Sequence, residues 1–129
     1  MKGFGTKIIA YDTYKDEKFK EEAGFEYVDL DTLYKESDII SLHCPLLKDT
    51  EKMINKESIA KMKKGVIIIN CSRGKLIHTN DLVQKLSEGK IGGVGLDVYE
   101  DEEEFFLRDM SNSYIRDKNL SILLSMPNV

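Results

Sequence analysis

Apolar residues along this chain come in short unbroken runs, and charged stretches separate them. Thr6 to Asp12 reads as a buried strand ending in an acid. Lys15 to Ala23 is charged and helical, and Gly24 closes it as a helix C-terminal glycine should. Phe25 to Val28 is a short strand, and Asp31 is placed to cap a helix from Asp31 to Glu36. Asp38 to His43 forms the next strand, stopped by Pro45, and Asn55 can cap a helix from Lys56 to Met62. A strand over Val66 to Asn70 and a helix over about Asn80 to Ser87 come next, then Gly89. Gly93 to Val98 is the last clear strand, where glycines allow close backbone approach. The remainder mixes an acidic loop, Phe105–Phe106 and a short helical stretch near Leu120 to Leu124.

Continuously apolar strands that alternate with helices predict a parallel sheet covered on both faces. Right-handed crossovers make it an α/β, doubly wound fold, in which ligands bind at the carboxyl edge of the strands. That edge receives the run Asn70-Cys71-Ser72-Arg73-Gly74 from one strand and Asp97 through Glu102 from the next. One cation and two carboxylates thus converge.

Composition narrows the partners. The 129 residues limit the chain to one domain, and 41% hydrophobic residues suffice for a core. A net charge of −4 argues against a nucleic-acid backbone as partner. No apolar run approaches the roughly 18–20 residues a membrane helix needs, and Met1 to Gly5 leads straight into a strand with no secretory leader. Cys44 and Cys71 lack CxxC spacing and read as reduced, semi-buried thiols of a cytosolic protein, and the histidine spacing offers no metal site.

Each candidate has a bland counterpart. Asp12, at a strand end, can accept hydrogen bonds from ribose hydroxyls, which would favour NAD over NADP, or simply start a turn before Thr13. Arg73 can grip a substrate carboxylate through two parallel hydrogen bonds, which a lysine cannot copy, or lie idle in a strand-to-helix loop. Asp97 can accept from a cofactor amide or cap the segment after the strand. The run Glu100-Asp101-Glu102-Glu103-Glu104 is mostly solvated loop. His43 can line a cofactor groove, and His78 is expected exposed. Neither has an acid partner in register, so neither makes a good general acid.

Taken together, these stretches resemble the D-isomer-specific 2-hydroxyacid dehydrogenases, in their bacterial lactate branch. The resemblance rests on Lys2 through Asp12, Ser41 through Leu46, Met53 through Met62, Asn70 through Ile77 and Lys90 through Glu102, with a long stretch before Met126-Pro127-Asn128-Val129. It implies that Arg73 is the substrate-binding catalytic arginine and that Glu102 pairs with a catalytic histidine. Asp12 then takes the adenosine ribose and Asp97 the nicotinamide end, while Cys44, Pro45, Thr50, Cys71 and Ser72 line the groove. The implied reaction is the interconversion of pyruvate and D-lactate by hydride transfer with NAD as cofactor. The implied partners are a small 2-oxo or 2-hydroxy acid and, for the complete enzyme, a second copy in a cytoplasmic homodimer.

In that family the glycine-rich phosphate loop falls upstream of Lys2, and the catalytic histidine falls beyond Asn128–Val129. Residues 1–129 are therefore expected to form a partial, Rossmann-like NAD-binding domain that lacks the first strand and the phosphate loop, with the substrate domain absent. The isolated chain is expected to be inactive, and the alternative is a non-catalytic truncated NAD-binding or interaction module. A sheet of order 3-2-1-4-5-6 without its first strand leaves three expectations. The Ile8 and Ile39 strands pair directly, the Met1 to Val28 segment detaches, or another copy lends a strand.

Overall fold

The computed structural model describes residues 1–100, 102 and 116–129. Asp101, Glu103, Glu104 and the Phe105–Phe106 pair of the acidic loop lie outside the described residues.

The centre is β4 (Val66–Asn70), whose run of β-branched residues suits a pleated, half-buried strand. It pairs in parallel with β3 (Ile39–Leu42) on one side and β5 (Ile91–Leu96) on the other. The register sets Ile40 beside Ile68 and Ile68 beside Val94. These three residues face a core that also takes Ile59, Leu82, Leu86 and Leu123. The helices on that face are α2 (Leu30–Glu36), α3 (Lys56–Lys61), α4 (Thr79–Ser87) and α5 (Lys118–Ser125). Helix α3 packs between α2 and α4, while α4 packs against β5 and α5. The free edge of β5 is clamped by Asn128, whose carbonyl accepts from Val94 N–H at 2.9 Å and whose side-chain amide donates to Gly92 O at 3.1 Å.

The other face of this sheet is not covered as the apolar runs suggested. Ile39 is 51% and Ile67 38% exposed, while their chain neighbours Ile40 and Ile68 are buried. β3 and β4 thus alternate in burial instead of being sealed on both sides.

A second, two-stranded parallel sheet holds β1 (Ile9–Ala10) and β2 (Glu26–Tyr27), joined by α1 (Glu17–Ala23). Among the described residues no ladder joins β1 to β3, so direct pairing does not occur. No residue of β1, α1 or β2 belongs to the buried core, so among the described residues the small sheet stands apart from the larger one, as the expected detachment of the Met1 to Val28 segment has it. An exposed ion pair from Lys7 Nζ to Glu36 on α2, at 3.2 Å, reaches across to the larger body.

Local signals hold in places. Gly24 takes φ +69 at the end of α1, and Asn55 caps α3 in a reciprocal capping box with Ser58. Elsewhere they shift. Asp29, not Asp31, caps α2, accepting from both the N–H and the hydroxyl of Thr32. Asp31 sits inside the first turn and reaches Lys61 instead. The last strand runs Ile91–Leu96, earlier than Gly93 to Val98, because Lys90 and Ile91 already align with β4.

Candidate active site

The carboxyl end of β4 organises one corner of the sheet edge. Asn70, its last residue, is fully buried. The Asn70 side-chain amide donates to Arg73 O at 2.9 Å, and its side-chain oxygen accepts from Ser72 N–H at 3.1 Å. The turn Cys71–Arg73 is thereby closed onto the strand that delivers it. Ser72 Oγ donates to Cys44 O at 2.7 Å and ties this turn to the end of β3. Arg73 is exposed, with its guanidinium folded back to donate to Ser72 O at 2.7 Å. No ion pair engages it among the described residues.

The end of β5 builds the facing corner. Asp97 N–H donates to Asn70 O at 3.0 Å, which carries the ladder one step past the strand and leaves the Asp97 side chain exposed. Glu102 then folds back to accept from Tyr99 N–H at 3.0 Å. Gly74 is the point where the two corners meet. A Cβ built on it would lie 1.9 Å from Tyr99 O and 2.5 Å from Glu100 N. Only a residue without a side chain lets the Arg73 turn and the Glu102 turn touch backbone to backbone.

Glu100 spans this corner. One carboxylate oxygen accepts from Thr79 N–H at 3.1 Å and Thr79 Oγ1 at 2.7 Å, and the other faces Lys52 Nζ at 3.2 Å. Burial pushes its pKa up, but the Thr79 hydrogen bonds and the Lys52 ammonium outweigh that, and the net direction is down. Lys52 reaches the site because its loop runs beside the Arg73–Ile77 segment. Lys52 N–H donates to Lys75 O at 2.8 Å, and Ile54 N–H to Leu76 O at 3.0 Å.

The remaining candidates lie along the same edge. Asp12 is exposed, and one of its oxygens accepts from Tyr14 N–H at 2.8 Å, so it does start a turn. Cys44 is half-buried, and burial, helped by the Asp12 charge, pushes its thiol pKa up. It therefore stays protonated near neutrality. Thr50 Oγ1 donates to Pro45 O at 2.7 Å and holds the Pro45–Thr50 loop closed. Cys71 is exposed, not semi-buried.

An arginine turn and a glutamate turn thus meet in backbone contact, with Asp97 between the second turn and the end of β5. Residues 1–129 match the family described as D-isomer specific 2-hydroxyacid dehydrogenase, NAD binding domain. The chain belongs to this dehydrogenase family. It is 50% identical to a putative D-lactate dehydrogenase of Dictyostelium discoideum, over 98% of the chain and 37% of that protein. It is 51% identical to an aromatic 2-oxoacid reductase of Clostridium sporogenes, over 98% of the chain and 38% of the relative. The fold superposes on D-lactate dehydrogenase with NAD+ from Lactobacillus jensenii with a TM-score of 0.91, at 40% identity, over 99% of this chain and 38% of that one. The family domain thus spans little more than a third of the relatives it matches. It is an NAD-binding domain of α/β, Rossmann-like fold.

The residues that brace the two corners of this family domain do not stand out in the sequence. Asn70 is legible in principle, as a polar residue ending an apolar run before a turn. Lys52 and Thr79 carry no sign of their link to Glu100, because one comes from a loop and the other from the first turn of α4. His78 departs from the expectation of an exposed ring without an acid in register. It is part-buried, and its Nδ1 lies 2.9 Å from Asp81 Oδ2, an acid partner one helical turn on.

Proposed function

We propose that this chain forms the cofactor-side half of the catalytic centre of an NAD-dependent D-2-hydroxyacid dehydrogenase, interconverting pyruvate and D-lactate. The observation that supports the reading is the backbone contact of Gly74, next to Arg73, with Tyr99 and Glu100, just before Glu102. The donor set fits a dinucleotide. Asp12 offers an exposed carboxylate at a strand end for ribose hydroxyls, an acid that disfavours the extra phosphate of NADP. Cys44, Pro45, Thr50, Cys71 and Ser72 line the groove, and Asp97 serves the nicotinamide end. The bound cofactor supplies the hydride.

The chain's own residues do the rest. Arg73 exchanges its hydrogen bond to Ser72 O for a fork on the substrate carboxylate, each charged bond being worth roughly 1.5–3 kcal/mol. Glu102 holds an imidazolium that protonates the ketone. That imidazole is neither histidine of this chain, since His43 Nε2 is 2.8 Å from Ser41 Oγ and His78 pairs with Asp81. The 129 residues by themselves are therefore expected to be inactive, a missing general acid costing roughly 10²–10⁴ in rate. The working enzyme on this reading is a cytoplasmic homodimer.

The test exchanges this chain for the matching segment of the Lactobacillus jensenii enzyme. The chimera is expected to bind NADH, read by its fluorescence, and to reduce pyruvate. Arg73→Lys lowers kcat/KM roughly ten- to a hundredfold by losing the fork. Glu102→Gln removes the charge that keeps the histidine protonated, so activity fades at lower pH than in the parent. A chimera that binds NADH yet reduces no 2-oxo acid overturns the reading.

A further inference from the structure

The Lys52–Glu100–Thr79 cluster has no part in the proposed chemistry, yet it joins three segments at the catalytic corner. Glu100 uses both carboxylate oxygens, in two directions. Toward α4 it accepts from the first backbone N–H and the hydroxyl of Thr79, which is buried. Toward the Thr50–Ile54 loop it meets Lys52. Its own backbone N–H borders the space that keeps Gly74 bare. Two residues on, Glu102 closes the turn onto Tyr99 N–H. The tyrosine ring is held from the other side, where its hydroxyl donates to Asp117 Oδ2 at 2.7 Å at the head of α5.

From this geometry we infer that Glu100 is a positioning residue, a brace that fixes the turn carrying Glu102 against the turn carrying Arg73. The inference rests on the dehydrogenase reading only for its catalytic consequence. The brace itself is a matter of reach and donor count. Glutamine keeps the length of the side chain but presents N–H donors to either Lys52 or the Thr79 amide, which are donors themselves. Aspartate is one methylene short of spanning both. Thr79→Ser keeps both donors, and Thr79→Val loses the shorter bond.

Two measurements decide it. In the chain itself, Glu100→Gln is expected to speed amide exchange at Tyr99, whose N–H is held by Glu102, by about tenfold, with exchange at Ile68 unchanged. Unchanged exchange at Tyr99 overturns the brace. In the chimera with the Lactobacillus jensenii enzyme, Glu100→Gln is expected to lower kcat roughly ten- to a hundredfold, as a small misplacement of a reacting group does, with the KM for NADH unchanged. Because Glu100 acts through Glu102, adding Glu100→Gln to Glu102→Gln costs nothing further, and independent, multiplying losses overturn the inference. Thr79→Ser behaves as the parent. Thr79→Val shows the same exchange and kcat pattern in milder form, and it carries the test where Glu100→Gln fails to fold. An inactive parent chimera together with the expected exchange pattern overturns the dehydrogenase reading and leaves the brace supported.

Discussion

Gly74 shows how little room is left between the turns of Arg73 and Glu102. Its backbone lies outside the left-handed region, so its requirement is space and not conformation. Gly74→Ala puts a methyl group against the Tyr99 carbonyl, which is backbone and gives way only if the two turns separate. The expected cost is about 1–3 kcal/mol, as for other overpacked sites, read as a lower urea midpoint, and an unchanged midpoint would place the turns apart. Glu100 adds a pH dependence with a definite sign. Its folded pKa lies below the ordinary 4.5, so its contribution to stability is fully present above that value and is lost as pH falls through the folded one. Acid titration of the parent is expected to show this loss below about pH 4.5, and Glu100→Gln to lack it. Identical acid limbs would mean the carboxylate gains nothing from Thr79 and Lys52.

Among the elements, α3 is short and depends on its ends. Asn55 accepts from Glu57 and Ser58 N–H groups, Ser58 Oγ accepts from Asn55 N–H, and the Asn55 amide donates to Lys52 O. Ile59 on this helix is fully buried, so the cap holds a core side chain in place. Asn55→Ala is expected to cost about 1 kcal/mol. The loop that holds Lys52 should loosen with it, so chemical denaturation and Lys52 amide exchange ought to change together. Helix α4 starts from a different device. His78 occupies the cap position without a side-chain cap bond, and Asp81 accepts from Lys56 N–H at 2.8 Å, which fastens the start of α3 to α4. The starts of these two helices are therefore fastened to each other.

At the scale of the molecule, the edge of β3, which no strand pairs among the described residues, and its exposed face dominate. Ile39 and Ile67 lie on one face in register, with Ile39 on the edge strand. Open edges and exposed apolar rows invite association. Sedimentation of the chain is expected to show mass rising with concentration, and Ile39→Lys to suppress it, since a charge on an edge strand opposes pairing. A chain that stays monomeric across the micromolar range would show the face to be harmless. The division into two sheets leaves one strand-wide question, and slow exchange at both Ile9 and Ile40 would show these edges protected in solution.

Much of this was legible in the residues. The α/β alternation, β4 to the residue, the Gly24 and Asn55 helix ends, and the arrival of Arg73, Asp97 and Glu102 at one edge all rest on signals within a few positions of each other. Such signals are set by backbone geometry and hydrogen bonds that close locally. The family resemblance came from the same stretches, because the turn residues that place the chemistry are contiguous. The tertiary structure alone decided where segments distant in sequence meet. An apolar run does not say which of its faces is covered, so Ile67 could be exposed while Ile68 is sealed. Nor does a loop lysine announce the glutamate it will reach. Those outcomes depend on how helices pack and which loops come alongside, and that is settled by the burial of the whole core and not by any short stretch of chain.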